Sequence, residues 1–187
     1  MAEVKILIQG YTSADSIEEG QEVTCPTITL IRDEDIVMVV DPGILESQDV
    51  LVEALQNEGL SVDNVTHVFL THSHLDHYRN IGMFATAKTV EYFGVWDKRT
   101  VNDWQEQFSN NIKIIKTPGH NYDSLSLLIE TEMGKVAIVG DVFWKEGEPK
   151  NDPYASDKDE LEKSRKKVLE IADYIIPGHG PMFKVKK

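Results

Sequence analysis

Residues 71–77 read T-H-S-H-L-D-H and place His72, His74, Asp76 and His77 within six positions, directly after the apolar run 65–70. Imidazole nitrogens and carboxylate oxygens are ligands for zinc and other first-row divalent metals. Packed into one loop, they repel or desolvate one another unless a cation organises them. Histidine usage points the same way: of six histidines, three lie here, one is His120 in T-P-G-H and one is His179 in I-P-G-H-G. An H-x-H-x-D-H arises by accident on the order of once in two thousand chains of this size, so a mere polar turn is the weaker reading. His67 lies outside these motifs and is expected to serve its strand.

The elements that must position these residues follow from periodicity. Strands are expected at 4–10 and 65–70, with a hairpin of 27–32 and 36–40 around Asp33-Glu34-Asp35. Further strands are expected at 88–94 and 111–116, a second hairpin at 124–130 and 135–139, and a last strand at 173–176. Helices are expected at 47–59, with Ser47 as N-cap and Val50, Leu51, Ala54 and Leu55 at helical spacing, at 76–85, and at 157–172. The segment 11–23 reads as a polar acidic loop with Glu18, Glu19 and Glu22. Each candidate ligand follows a strand, so strand-end loops should converge on one edge of an α+β sandwich with helices outside.

The 187 residues, 41% hydrophobic, suffice for one domain spanning 1–187. With no apolar run of membrane-spanning length and no basic leader, a soluble cytoplasmic protein is expected. Cys25 is the only cysteine, which excludes an intrachain disulfide, and it reads as a buried small hydrophobe. A net charge of −13 argues against broad polyanion binding, though not against a local basic mouth.

Taken in order, V-D-P-G at 40–43, T-H-S-H-L-D-H at 71–77, T-P-G-H at 117–120, G-D at 140–141 and P-G-H-G at 177–180 resemble the metallo-β-lactamase superfamily. The resemblance implies a four-layer αβ/βα sandwich and a metal-dependent hydrolase. It implies one ion held by His72, His74 and His120, a second held by Asp76, His77 and His179, and Asp141 bridging both. Asp41 would orient the metal loop through hydrogen bonds. Two Zn(2+) are expected, with iron or manganese as alternatives, since no cysteine ligand enforces zinc. Ions roughly 3.5–4 Å apart lower the pKa of a shared water from about 15.7 toward about 7, which supplies a nucleophile at neutral pH. Asp76, beside that nucleophile, is the candidate catalytic residue, orienting it or accepting its proton.

N-I-G-M-F at 80–84, G-D-V-F at 140–143, S-R-K-K-V-L at 164–169, A-D at 172–173 and P-G-H-G-P at 177–181 followed by Phe183 resemble more closely a small single-domain branch of that superfamily, with members linked to RNA cleavage. The expected activity is therefore attack on a phosphodiester, RNA included, or on a small ester-type bond. Alternatives are a thioester hydrolase of the glyoxalase II kind, a lactonase or a β-lactamase. From another class come an iron-dependent persulfide-type oxygenase and a non-hydrolytic scaffold. The partner is a small molecule or a short RNA, with no membrane and no protein partner indicated. Arg79 and Lys145 could flank the mouth, with Trp144 or Tyr122 as an apolar wall, or all could be ordinary surface residues. The segment 96–108, with Trp96, Trp104 and Phe108, and the loop 11–23 could shape the substrate site, the aromatic trio being expected rather to pack.

Overall fold

The computed structural model describes residues 1–14, 21–147 and 149–186, and counts of elements refer to those residues. Glu18 and Glu19 of the acidic loop lie outside them. The first half contains β1 (Glu3–Ile8), β2 (Tyr11–Thr12), β3 (Thr24–Cys25), β4 (Ile28–Asp33), β5 (Ile36–Val40), α1 (Gln48–Asn57), β6 (His67–Phe69), α2 (Leu75–Tyr78), β7 (Lys88–Glu91), β8 (Gly94–Asp97) and β9 (Thr100–Asn102). The second contains β10 (Ile112–Lys116), β11 (Leu125–Thr131), β12 (Gly134–Ile138), α3 (Lys158–Ile171), β13 (Tyr174–Ile176) and β14 (Phe183–Lys184). One sheet has the order β1-β4-β5-β6-β7-β8-β9 and the other β10-β11-β12-β13-β14, while β2 pairs with β3 alone.

Side chains alternate across a strand, and here both faces are covered. Ile31, Met38, Val40 and Phe69 of the first sheet meet Ile112, Ile114, Leu127, Val136, Ile138 and Ile176 of the second, and this is the central core. The opposite registers, Ile28, Leu30, Val39 and Val68, pack under Leu51 and Leu55 of α1. Ala137, Val139 and Ile175 pack under Leu161 and Val168 of α3. The layers thus run helix, sheet, sheet, helix, which is the expected αβ/βα sandwich. Ser47 caps α1 as expected, accepting from Asp49 N–H, and the structure adds a cap on α3, where Asp157 accepts from Asp159 and Glu160 N–H.

β5, β6 and β7 are mutually parallel, as are β12 and β13, and β10 runs with β12 through two antiparallel steps. The carboxyl ends of β5, β6, β10, β12 and β13 therefore share one edge, the place where open α/β sheets bind ligands. Asp41, His72, His120, Asp141 and His179 follow those strands within a few residues.

Two elements differ from expectation. The helix foreseen at 76–85 is only α2 plus a 3₁₀ turn, Ile81–Met83. The His77 carbonyl accepts from Gly43 N–H and Asn80 N–H donates to the Gly43 carbonyl, so the turn at 42–43 takes bonds that a longer helix would need. The strand foreseen at 88–94 turns at Tyr92-Phe93 and returns as β8 and β9, a meander that uses part of 96–108. Trp104 and Phe108 pack against the central core, whereas Trp96 is exposed and donates to Glu91. No helix among the described residues is long and apolar enough to cross a membrane.

Phe69 is fully buried between the sheets two residues before the metal loop. Phe69→Ala should lower unfolding free energy by about 3–5 kcal/mol, seen as an earlier midpoint in urea denaturation.

Candidate metal centre

Each candidate residue reaches the shared edge for a local reason. β6 ends at Phe69, and the chain then enters the loop that carries His72 and His74 and the short helix that carries Asp76 and His77. Leu125 N–H donates to the Thr71 carbonyl at 2.7 Å, which ties this loop to the second sheet. Asp141 sits in the 3₁₀ turn Gly140–Val142, where Gly140 has φ +52°. A Cβ on Gly140 would fall 2.4 Å from Thr71 Oγ1, and one on Gly178 would fall 1.9 Å from Asp141 Oδ1. The two glycines permit the approach of backbone to ligand that the site needs.

The side chains converge as two groups suited to holding a metal ion: His72, His74, His120 and Asp141, and beside them Asp76, His77 and His179. All seven residues singled out in the sequence are thus brought together. Asp141 Oδ2 lies 3.4 Å from His120 Nε2, while Oδ1 lies 3.3 Å from His77 Nε2 and 3.2 Å from His179 Nε2. Asp76 Oδ2 is 3.7 Å from His77 Nε2 and 3.6 Å from His179 Nε2. His74 faces inward through Nδ1, 3.0 Å from His120 Nε2.

These donor atoms fit a cation. His72 Nε2, His77 Nε2 and Asp141 Oδ1 are buried without a hydrogen-bond partner, although like-minded donors surround them. A buried polar atom left unpaired costs roughly 1–3 kcal/mol, and three such atoms spread over the two groups mark places where a cation would supply the missing partner.

The outward ring nitrogens are each held. His77 Nδ1 is 2.8 Å from Asp41 Oδ2, and Thr71 donates to the same carboxylate through N–H at 2.8 Å and Oγ1 at 2.7 Å. Thr71 Oγ1, having given its proton to Asp41, accepts from His72 Nδ1 at 3.0 Å. One carboxylate therefore sets two imidazole tautomers and leaves both Nε2 lone pairs facing inward. Asp41 does so from φ +50°, a conformation that costs a non-glycine residue about 1–3 kcal/mol. His179 Nδ1 donates to the Cys25 carbonyl at 3.0 Å, with Thr24 Oγ1 at 3.3 Å.

His120 has a partner that the motifs do not reveal. Its Nδ1 lies 2.6 Å from Asp152 Oδ2, and the Asp152 side chain is wholly buried. Asp152 stands in N-D-P at 151–153, where the only sequence signal is a turn. Thr24, which donates to Asp76 Oδ2 at 3.2 Å, was equally silent.

Electrostatics separates the two groups. Burial, reinforced by the neighbouring His77, drives His72 well below the ordinary imidazole range, and burial lowers His74 as well. Burial also opposes charge on His77 and His179, but Asp141 outweighs it and raises both, with Asp41 adding to His77. Asp141 is correspondingly held well below the ordinary carboxylate range by His179 and His77 against its own burial.

A cavity of about 450 Å³ opens over the cluster, walled by Ile44, Leu75, Trp144, Thr12, Thr24, Glu22 and Tyr154 together with ligand residues. Trp144 lies edge-on to His120 and His179, both at 6.5 Å, and is the expected apolar wall. Tyr122 is not part of the lining; it is exposed and packs on Tyr92. Arg79 and Lys145 do not line the cavity either. His67 lies apart at the start of β6, edge-on to Phe108. Cys25 is buried, and burial pushes its thiol up, in keeping with a structural role.

Sandwich and site together match a known group. The family model described as the Metallo-beta-lactamase superfamily matches residues 26–110. The chain belongs to the metallo-β-lactamase superfamily and is a metal-dependent hydrolase. It is 34% identical over 194 residues to Metallo-beta-lactamase domain-containing protein 1 of Xenopus laevis, covering 98% of this chain and 82% of that one. The protein of the same name from Rattus norvegicus is 32% identical over 158 residues, 79% of this chain, which spans only 63% of that relative's length. Among solved structures, a putative metallo-beta-lactamase of Thermotoga maritima is 25% identical with a TM-score of 0.76, covering 98% of this chain and 99% of the other.

Two predictions follow from the protons and their neighbours. His77 and His179, raised, hold protons at pH values where ordinary imidazoles have lost them, and a cation entering must displace those protons. Metal affinity should therefore rise with pH through and above about 6.5, with protons released on loading, as calorimetry in buffers of different ionisation enthalpy would register. Asp152→Asn keeps the shape but removes the charge behind His120, and should weaken binding of an ion by His72, His74 and His120 by about 10–100-fold. Competition against a chromophoric chelator reads that loss directly.

Proposed function

We propose that the chain is a dinuclear hydrolase, served best by two zinc ions, that opens a small ester-type bond: a thioester, a lactone or a β-lactam. The observation that carries this reading is Asp141, whose two oxygens face the two ligand groups separately. His72, His74 and His120 would hold one ion with Asp141, and Asp76, His77 and His179 the other. The carboxylates in direct contact with this cluster, those of Asp41, Asp76, Asp141 and Asp152, carry a formal charge equal and opposite to that of two divalent ions. A buried charge needs such compensation. Imidazole and carboxylate donors suit zinc, though iron and manganese accept the same set.

When bound, the ions would bring the pKa of a water toward about 7 and polarise the bond under attack. Asp76, lining the cavity and fixed by Thr24, would orient that water and accept its proton. Ile44, Leu75 and Trp144 would exclude bulk solvent and receive the apolar part of the substrate. Among the described residues no lysine or arginine lines the cavity, while Glu22 does. That lining supports an uncharged or cationic substrate over the phosphodiester of an RNA strand, which basic side chains would receive.

Metal analysis of the freshly purified protein, beside a panel of a thioester, a lactone, a chromogenic β-lactam and single-stranded RNA, tests the reading. Two zinc ions per chain with a thioester, lactone or β-lactam far ahead is the expected result. RNA ahead of the others, or one iron per chain and no hydrolysis, would overturn it. Asp141→Ala should leave fewer than two ions per chain and lower kcat/KM by at least about 100-fold, since even outer partners of metal ligands are worth 10–100-fold.

A further inference from the structure

We propose that Glu22 is the acceptor for a positively charged group of the substrate, so that the preferred substrate is a small ester or thioester bearing an ammonium group. This rests on the hydrolase reading above and adds a substrate class to it.

The cavity has two chemically different ends. At its floor are the metal-binding residues, whose carboxylates are matched by the ions they would hold. On its wall stands Glu22, which is no ligand candidate and, among the described residues, has no cation beside it in the lining. Residues 15–20 of the same loop read D-S-I-E-E-G and add no basic side chain from the sequence. Among the described residues Glu22 is therefore the one charged group of the lining that the ions would leave unmatched.

The carboxylate is also positioned. Tyr154 donates its hydroxyl to Glu22 Oε2 at 2.6 Å, and Thr12 donates to Oε1 at 3.4 Å. Each oxygen keeps a further acceptor direction, because an ionised carboxylate has about four. Tyr154 in turn donates its backbone N–H to Asp152 Oδ1 at 2.8 Å, the carboxylate that backs His120. The Tyr154 ring leans on Trp144 at 6.0 Å and 31°, and it is 47% exposed. A carboxylate beside an accessible aromatic ring is the combination that receives ammonium groups, since the ring face is electronegative and the carboxylate supplies the full charge. An anion would meet Glu22 with nothing to offset it.

The test uses the metal-loaded protein at physiological salt, where long-range attraction to the acidic surface is damped. Calorimetric titration compares choline, its uncharged isostere dimethylbutanol and the anion isethionate, on the parent chain and on Glu22→Gln. Choline should bind at least about fivefold more tightly than the isostere, the scale of a partly exposed cation site. In Glu22→Gln that preference should vanish while metal content is unchanged. Acetylthiocholine against dimethylbutyl thioacetate should show the same ratio in kcat/KM. Equal binding of choline and its isostere, or a preference that survives Glu22→Gln, overturns the proposal. Glu22-dependent choline binding without turnover of either thioester upholds the cation site and overturns the choice of a thioester as the bond that is opened.

Discussion

The buried carboxylate of Asp141 is the constraint around which the rest is arranged. It meets His120 through one oxygen and His77 and His179 through the other, so a single anion faces residues of both sheets at once. An anion in such a place must be answered by protons or by metal ions. The raised His77 and His179 are the proton answer, and the inward-facing lone pairs of His72, His74 and His120 prepare the metal one. Gly140 and Gly178 exist as glycines because of the same carboxylate and its surroundings: a side chain at either would collide with Thr71 or with Asp141. Asp41 accepts an unfavourable backbone conformation for a related reason, since from there it fixes Thr71 and His77 together.

How much of this was legible in the sequence depends on range. The seven ligand candidates were legible because metal chemistry demands particular residue types, and four of them fall in one loop. The hairpins and the outer helices were legible because alternation, helical spacing and the Ser47 cap are local signals. Asp152 was not, since a buried acid behind a histidine has the same letters as an acid in a surface turn, and 32 positions separate it from His120. α2 was overestimated because the His77 carbonyl accepts from Gly43 N–H and Asn80 N–H donates to the Gly43 carbonyl, a partner far off in the chain. The meander of β7, β8 and β9 was hidden by a turn at Tyr92-Phe93, which lacks the usual glycine or asparagine at its centre. Glu22 was read only as one charge among many in an acidic loop. Its place on the cavity wall is a fact of packing.

The two readings left open for the mouth are decided by packing. Arg79 and Lys145 lie close in sequence to the metal motifs, yet neither lines the cavity, and Tyr122 faces outward despite standing two residues from His120. Nearness along the chain decides which residues are ligands, because the loops are short. It does not decide which residues form walls. Leu75 and Trp144 stand near ligand candidates in the chain, but the other walls, Thr12, Glu22, Thr24, Ile44 and Tyr154, come from the stretch between β2 and β3, the turn after β5 and the segment before α3.

The ligand candidates divide four to three between the sheets: His72, His74, Asp76 and His77 follow β6, whereas His120, Asp141 and His179 follow β10, β12 and β13. The order of synthesis therefore matters. As the chain emerges, the first sheet presents only part of a centre, and its histidines would meet ions without the Asp141 carboxylate to retain them. The centre becomes complete only once His179 has been made and β13 has docked beside β12. Metal capture by the full set would in that sense be a late event, one that certifies a chain whose two sheets have already found each other.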